Sequence, residues 1–222
     1  MAKDMTAHHL AVQAREIANM KSKECNSTSE IAGINLTVTP NVYSGGIDSK
    51  LMCQVIKILP SDSVLDLCTG TGIIALKAAT LGANRVIGTD LNPSAIKAAN
   101  LNKKKLGLKN IEFKEGDLFE PVKGQKFDVI TINPPYTSKK PADKTEICFW
   151  DEDNQTTKRF FREFKSHIKP GGRVYFAWAD FATEPNLPIE LAKLAGLQVK
   201  LLMQEKNTSG LSMFMSYQLI GV

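Results

Sequence analysis

A chain of 222 residues with a net charge of +5 is long enough for one well-buried domain with a small extension. Its 43% hydrophobic and 23% charged residues exclude extensive disorder, and no apolar run approaches the roughly 20 residues that span a bilayer. The first twenty residues mix charged and histidine side chains with short apolar groups, so we expect a cytoplasmic protein with no membrane partner.

Residues 1–40 differ in pattern from the rest of the chain. An amphipathic stretch that includes Leu10, Ala14 and Ile17 predicts a helix, and a possible strand follows at 34–38. We interpret 1–40 as an N-terminal extension that caps the core or shapes a substrate cleft, and 41–222 as the main domain.

From residue 62 onward, short β-branched runs alternate with longer helical patterns. The predicted strands lie at 63–68, 85–89, 111–114, 127–132, 173–178, 198–203 and 212–219. The predicted helices lie at 73–81, 93–106, 155–168 and 187–195. The alternation predicts an α/β fold with a Rossmann-like, seven-stranded, mostly parallel sheet. The short turn at 207–210 predicts a closing hairpin, which makes the last strand antiparallel.

The cysteines and histidines give no sign of a metal site. Cys25, Cys53, Cys68 and Cys148 are widely spaced and form no CxxC pair, which argues against zinc and against a disulfide framework. We expect reduced, mostly buried thiols. Adjacent His8 and His9 have no partner at ligand spacing, so we predict that both are surface residues.

Polar residues follow three successive predicted strands. The first strand runs into Asp66-Leu67-Cys68-Thr69-Gly70-Thr71-Gly72, where Gly70 and Gly72 allow a sharp turn and the close approach of a ligand. Asp90 ends the second strand and could accept hydrogen bonds from both ribose hydroxyls. Asp117 follows the third strand and could accept from an adenine amino group. Together they predict a nucleoside pocket at the carboxyl edge of the sheet.

Each of these features also has a plainer interpretation. A Gly-Thr-Gly turn is often only a tight connection, and an acid at a strand end is often a helix cap. Gly70, Gly72 and Ala75 also fit a loose dinucleotide-binding pattern with Asp90 about 20 residues further on. A nicotinamide-dependent oxidoreductase is therefore the rival enzyme hypothesis.

The segment Asn133-Pro134-Pro135-Tyr136, directly after the strand FDVITI, is the most specific signal. Two prolines stiffen the loop, so the Asn133 side chain and the Pro134 carbonyl can both face the cleft as acceptors. They match the two N–H bonds of a flat –NH2 group, and Tyr136 could stack on its plane. Such nitrogens are poor nucleophiles, and orientation with electrostatic stabilisation would activate them without a strong base. The plainer interpretation is a proline-rich turn.

The stretches DLCTGTG, GTDLNPSAIKAA, EGDLF and FDVITINPPY, in this order, resemble the class I methyltransferases. They look most like the Asn-Pro-Pro-Tyr branch, which includes release-factor glutamine N5-methyltransferases and adenine or guanine amino-methyltransferases. The similarity covers about 38–180, and 40–49 is similar to the segment that lies over the cofactor. It implies S-adenosylmethionine as cofactor and methyl transfer to a planar amide or amino nitrogen.

The resemblance also implies roles for individual residues. Asp66, Gly70 and Gly72 would hold the methionine end of the cofactor, Asp90 its ribose and Asp117 its adenine. Further cofactor contacts would come from the same motifs, at Cys68, Thr69, Leu91, Leu118 and Asn133. The residues that would address the acceptor are Asn133, Pro134 and Tyr136.

Two departures from that branch leave the acceptor open. The usual N-terminal helical recognition domain is missing, and Phe149–Asn154, acidic and aromatic, replaces a glycine-rich segment and is expected to border the acceptor pocket. A protein or ribosome-associated glutamine, a nucleic-acid base amine and a small molecule all present the same flat nitrogen. A cofactor-binding, non-catalytic subunit that needs a partner is a further alternative.

Overall fold

The computed structural model describes residues 2–222, with side chains from residue 7 onward. Its α-helices and strands are, in chain order, α1 Ala2–Ser22, β1 Ser27–Ile31, β2 Ile34–Val38, α2 Ile47–Val55, β3 Ser63–Leu67, α3 Ile73–Thr80, β4 Arg85–Asp90, α4 Pro93–Lys105, β5 Ile111–Glu115, β6 Phe127–Ile132, α5 Gln155–His167, β7 Ile168–Ala179, α6 Leu187–Leu194, β8 Gln198–Lys206 and β9 Met213–Ile220. Short 3₁₀ turns occupy Glu120–Val122, Glu146–Cys148 and Glu152–Asn154.

Seven strands form one sheet in the order β5-β4-β3-β6-β7-β9-β8. The pairs from β5 to β7 are parallel, whereas β9 runs antiparallel to both β7 and β8. The predicted Rossmann-like sheet with an antiparallel last strand is confirmed. Because β3, β4, β5 and β6 are parallel, their carboxyl ends meet at one edge, where a ligand cleft is expected.

Hydrophobic side chains cover both faces of the sheet. On one face, Phe160 and Phe164 of α5 pack with Trp178 of β7. On the other face, α2 and α3 pack with β2 through residues such as Met52 and Leu36. All five of these side chains are completely buried, so both layers are fixed by apolar burial.

The start of α4 follows the predicted chemistry. Pro93 occupies the first turn, and the Asn92 side chain accepts a hydrogen bond of 2.9 Å from the backbone N–H of Ser94. The cap fixes where α4 begins, directly after Asp90.

Two elements, and the start of a third, were not predicted from the sequence. Strand β1 pairs antiparallel with β2, and helix α2 follows Gly46. Strand β7 begins five residues before the predicted start, at Ile168, which pairs with Phe127. The pairing with β6 then shifts in register and continues at Arg173. The Lys-Pro-Gly-Gly segment therefore forms a bulge within β7 and does not separate α5 from the strand.

Two predictions about side-chain exposure were wrong. His9 is buried, because its ring stacks on Phe181 with the centroids 4.4 Å apart. The cysteines are free, but only Cys53 is buried, whereas Cys25 is exposed and the other two are partly covered. Within residues 2–222, no helix combines the length and apolar character needed to cross a membrane.

Candidate active site

A cavity of about 720 Å³ opens at the carboxyl edge of the sheet. Its volume is in the range of pockets that hold nucleotide-sized ligands. Most of the predicted site residues line it: Cys68, Thr69, Gly70, Asp90, Leu91, Asp117, Leu118, Asn133, Pro134 and Tyr136. The structure therefore brings residues from four successive strand ends to one cavity.

Asp66 and Gly72, which were predicted to touch the ligand, do not line the cavity. The Asp66 carboxylate is completely buried and accepts hydrogen bonds from the hydroxyls of Thr69, at 2.6 Å, and Thr131, at 2.7 Å. Burial raises the pKa of Asp66 to about 6, although both hydroxyls favour the charged form. Asp66 thus stabilises the 69–72 turn through its hydrogen bond with Thr69 without lining the cavity.

Gly72 supports the same turn by its size. Its φ is +86°, and a Cβ there would lie 2.8 Å from the ring of Phe113 and 3.1 Å from Ala99. Gly70 is different, since its φ is +55° but a Cβ would meet nothing within 4 Å. Gly72 is required because the start of α3 packs closely against β5 and α4, whereas Gly70 borders the open cavity.

Asp90 is held by the backbone on both sides. Its Oδ2 accepts from the N–H of Gly70 at 2.8 Å, and its Oδ1 accepts from the N–H of Asn92 at 2.9 Å. Burial raises the pKa of Asp90, and backbone donors at Asn92, Gly70 and Leu91 oppose that shift. Each oxygen keeps a further lone pair, so the carboxylate can accept from a pair of neighbouring hydroxyls.

Asp117 has a partner that the sequence did not indicate. The guanidinium of Arg159, on α5, donates from Nη1 to Asp117 Oδ2 at 2.5 Å, and Arg159 also lines the cavity. Asp117 Oδ1 remains available for a ligand. An arginine in an amphipathic helix carries no local mark of such a role, so only the tertiary structure identifies it.

Two residues at this edge adopt a backbone conformation that side chains disfavour. Cys68, after β3, has a φ of +56°, and Leu118, beyond β5, has a φ of +46°. Such strain costs about 1–3 kcal/mol each and concentrates at functional sites. Both residues line the cavity.

The Asn133–Tyr136 loop is fixed by an unexpected cluster at the start of α2. The Tyr136 hydroxyl lies 2.5 Å from Asn133 Oδ1 and 3.0 Å from Asp48 Oδ2, and Asn133 Nδ2 donates to Ser49 Oγ at 3.4 Å. Burial and the nearby Asp48 raise the pKa of Tyr136 well above its ordinary value, so the phenol stays a neutral donor.

This geometry changes the expected role of Tyr136. Its ring is buried and makes edge contacts with Trp178 and Phe181, at centroid distances of 5.3 and 5.9 Å. The ring therefore presents no open face on which an acceptor could stack, contrary to the prediction. Its hydroxyl instead orients the Asn133 amide.

Two further segments wall the cavity beyond the loop. One is the expected acidic and aromatic stretch, from which Phe149, Trp150, Asp151 and Glu152 line the space. The other is α1, which the sequence placed only loosely near the cleft. The α1 residues on the wall are His8, His9, Val12, Gln13 and Glu16.

Comparison with known proteins shows that the chain is similar to methyltransferases. The family described as a methyltransferase domain matches residues 58–211. A candidate protein N5-glutamine methyltransferase of Methanocaldococcus jannaschii is 35% identical over 178 residues, which cover 78% of this chain and 89% of that protein. The release factor glutamine methyltransferase of Buchnera aphidicola is 43% identical over 94 residues, or 42% of this chain and 32% of that enzyme. This chain thus matches about a third of that relative's length.

A crystal structure of a methyltransferase from Pyrococcus furiosus has the same fold. It superimposes with a TM-score of 0.67 at 18% identity, covering 97% of this chain and all of that one.

Proposed function

This chain belongs to the class I methyltransferase family, and from that premise we propose that it methylates the side-chain amide nitrogen of a glutamine in a protein. The enzyme class is that of an S-adenosylmethionine-dependent N-methyltransferase, which leaves no support for the oxidoreductase alternative. The observation that carries the proposal is the Asn133 amide on the wall of the cavity that Asp90 also lines.

The residues of the cavity fit S-adenosylmethionine. Asp90 offers two oxygens to a ribose diol, Asp117 keeps one oxygen for an adenine amino group, and Gly70 leaves open space where a side chain would project. When bound, this cofactor supplies an electrophilic methyl group on a sulfonium. The site residues Cys68, Thr69, Leu91 and Leu118 would complete its walls.

The acceptor would be held by the rigid loop after β6. Asn133 Oδ1 uses one lone pair for the Tyr136 hydroxyl and has a second for an N–H of the acceptor. The Pro134 carbonyl would accept the other N–H. Two in-plane acceptors leave the nitrogen lone pair pointing out of the plane and stabilise the positive charge that develops on nitrogen.

No strong base is required in this mechanism. One N–H proton would leave after methylation, to the oxygen that accepts it and then to solvent, because an N-methylated amide cation is far more acidic than the neutral amide. Holding the acceptor and excluding water are then the main tasks of the protein.

The similarity to release factor methyltransferases supports a ribosome-associated protein as acceptor and a cytoplasmic location. A dependence on a second polypeptide is the alternative, since the match spans 32% of that relative.

The proposal is tested by incubating the purified chain with a cell extract and methyl-labelled S-adenosylmethionine, followed by complete hydrolysis of each fraction. We expect labelled N5-methylglutamine from enzymatic digests of the protein fraction. Label confined to base amines of nucleic acid, or to small molecules, would contradict the glutamine assignment. Label that appears only after a partner polypeptide is added would show that the chain needs a partner.

A further inference from the structure

Helix α1 is attached to the segment that follows the acceptor loop. Lys21 Nζ lies 2.7 Å from Asp143 Oδ2 and 2.8 Å from Glu146 Oε1. The Trp150 indole N–H donates to Gln13 Oε1 at 3.2 Å, in a buried contact between residues 137 positions apart in sequence. These bonds hold one face of α1 against 143–150.

The Gln13–Trp150 contact fixes which way the Gln13 amide points. An indole N–H can only donate, so the Gln13 oxygen must face it and the –NH2 group must face elsewhere. A buried glutamine is otherwise free to present either end. Trp150 therefore makes Gln13 a hydrogen-bond donor toward the remaining space.

That remaining space is the cavity. Gln13 is only 6% exposed and lines the cavity wall. Within residues 7–222, no side chain or backbone atom accepts a hydrogen bond from Gln13 Nε2. This nitrogen is not one of the completely buried polar atoms that lack a partner, so a ligand in the cavity can reach it. A donor that is almost buried, unpaired and open to a pocket is costly to leave unused.

The donor also lies on the acceptor side of the cavity. Trp150 forms a bridge with Thr137, the residue directly after Tyr136, and the N–H of Asp151 donates to the Thr137 carbonyl at 2.9 Å. The chain that carries Trp150 thus runs beside the end of the Asn133–Tyr136 loop. Gln13 is joined to that segment by its hydrogen bond from Trp150.

We propose that Gln13 Nε2 donates to the carbonyl oxygen of the acceptor amide, so that Gln13 is a substrate-binding residue. This inference rests on the proposed glutamine methylation. A primary amide has two N–H donors, which Asn133 and Pro134 would accept, and one carbonyl oxygen, which needs a donor. A base amine such as that of adenine carries a ring nitrogen acceptor near its –NH2 group, so a Gln13 donor would not by itself exclude a base.

The test uses Gln13→Glu, which keeps an acceptor for Trp150 but removes the –NH2 donor. Asn19→Asp is the matched control, because it makes the same change of charge at an exposed position on the same helix. The acceptor probe is a synthetic peptide with one central glutamine, and a single-stranded oligonucleotide with adenine and guanine is the amine probe. Steady-state kinetics would give kcat/KM for each probe and KM for S-adenosylmethionine.

We expect Gln13→Glu to lower kcat/KM for the glutamine peptide by about 10- to 100-fold, with KM for S-adenosylmethionine near that of Asn19→Asp and a lower thermal midpoint, since its carboxylate is nearly buried. Gln13→Leu, which also lacks the donor but adds no charge, should show the same loss. If both variants methylate the peptide at the wild-type rate, the role of Gln13 is wrong while the proposed function stands. If the wild-type chain methylates the oligonucleotide and not the peptide, both proposals are wrong.

Discussion

At the residue scale, Gly70 and Gly72 of one turn are needed for different reasons. Gly72 has no room for a methyl group against Phe113 and Ala99, whereas Gly70 borders the cavity. Both have a positive φ, so an alanine at either position is strained by about 1–2 kcal/mol. Only at Gly72 is overpacking added to that strain, and only at Gly70 does the methyl group enter the proposed cofactor space.

We predict that Gly72→Ala lowers the free energy of unfolding by about 2–4 kcal/mol, since strain and overpacking add. Gly70→Ala should cost about 1–2 kcal/mol but weaken the binding of S-adenosylmethionine. Gly82→Ala, with a φ of +95° and open surroundings, is the control for strain alone. Urea unfolding and calorimetric titration measure the two effects, and equal unfolding losses in all three variants would refute the packing argument.

The residues that could be predicted from the sequence are those in continuous motifs. Asp90 and Asn133 each stand in a stretch whose neighbours fix the local turn, so the strand pattern alone placed them at the cavity edge. Gln13 and Arg159 reach the same cavity only through partners that lie 137 and 42 positions away. No spacing rule connects such positions before the chain has folded.

At the element scale, the strands that bury β-branched side chains were predictable, whereas strand β1 was not. Strands β3 and β6 are almost entirely buried, and their sequences SVLDL and FDVITI show it directly. Strand β1, STSEI, has only Ile31 buried, so its hydrogen bonds to β2 leave little hydrophobic pattern. Helix α2, of nine residues, was also missed, although the eight-residue helices α3 and α6 were predicted, so its length does not explain the miss.

Three elements are joined at the opposite end of the sheet by one carboxylate. Asp128 of β6 accepts from the hydroxyl and the N–H of Ser63 at the start of β3, and from Lys169 in the bulge of β7. Partial burial raises the pKa of Asp128, but the hydrogen bonds from Lys169 and Ser63 outweigh it and lower the pKa to about 2. The folded state therefore favours the charged form.

The sign of the pH dependence follows from that shift. The stabilisation by Asp128 is fully present above the ordinary pKa near 3.8 and is lost as the pH falls toward 2. We predict that Asp128→Asn lowers the free energy of unfolding by about 1–2 kcal/mol at pH 7, allowing for solvent screening of this partly exposed carboxylate. Urea unfolding at pH 7, 4 and 2 should show the difference from wild type shrinking with acid, and a constant difference would contradict this account.

At the scale of the whole molecule, one cavity is built by segments that lie far apart along the chain. The carboxyl edge of the sheet supplies Asp90 and the acceptor loop, α2 supplies Asp48 and Ser49, and α1 supplies Gln13. In the proposed mechanism, the sheet edge binds the cofactor while the loop with Asn133 holds the acceptor. These two functions should then be separable by mutation.

The most direct measurement is the rate of methyl transfer by Asn133→Ala at a saturating concentration of S-adenosylmethionine. We predict a fall of about 10²–10³-fold or more, because one of the two acceptors that orient the nitrogen is gone. Saturation should occur near the wild-type cofactor concentration, since Asp90 is untouched. A wild-type rate in Asn133→Ala would contradict the mechanism.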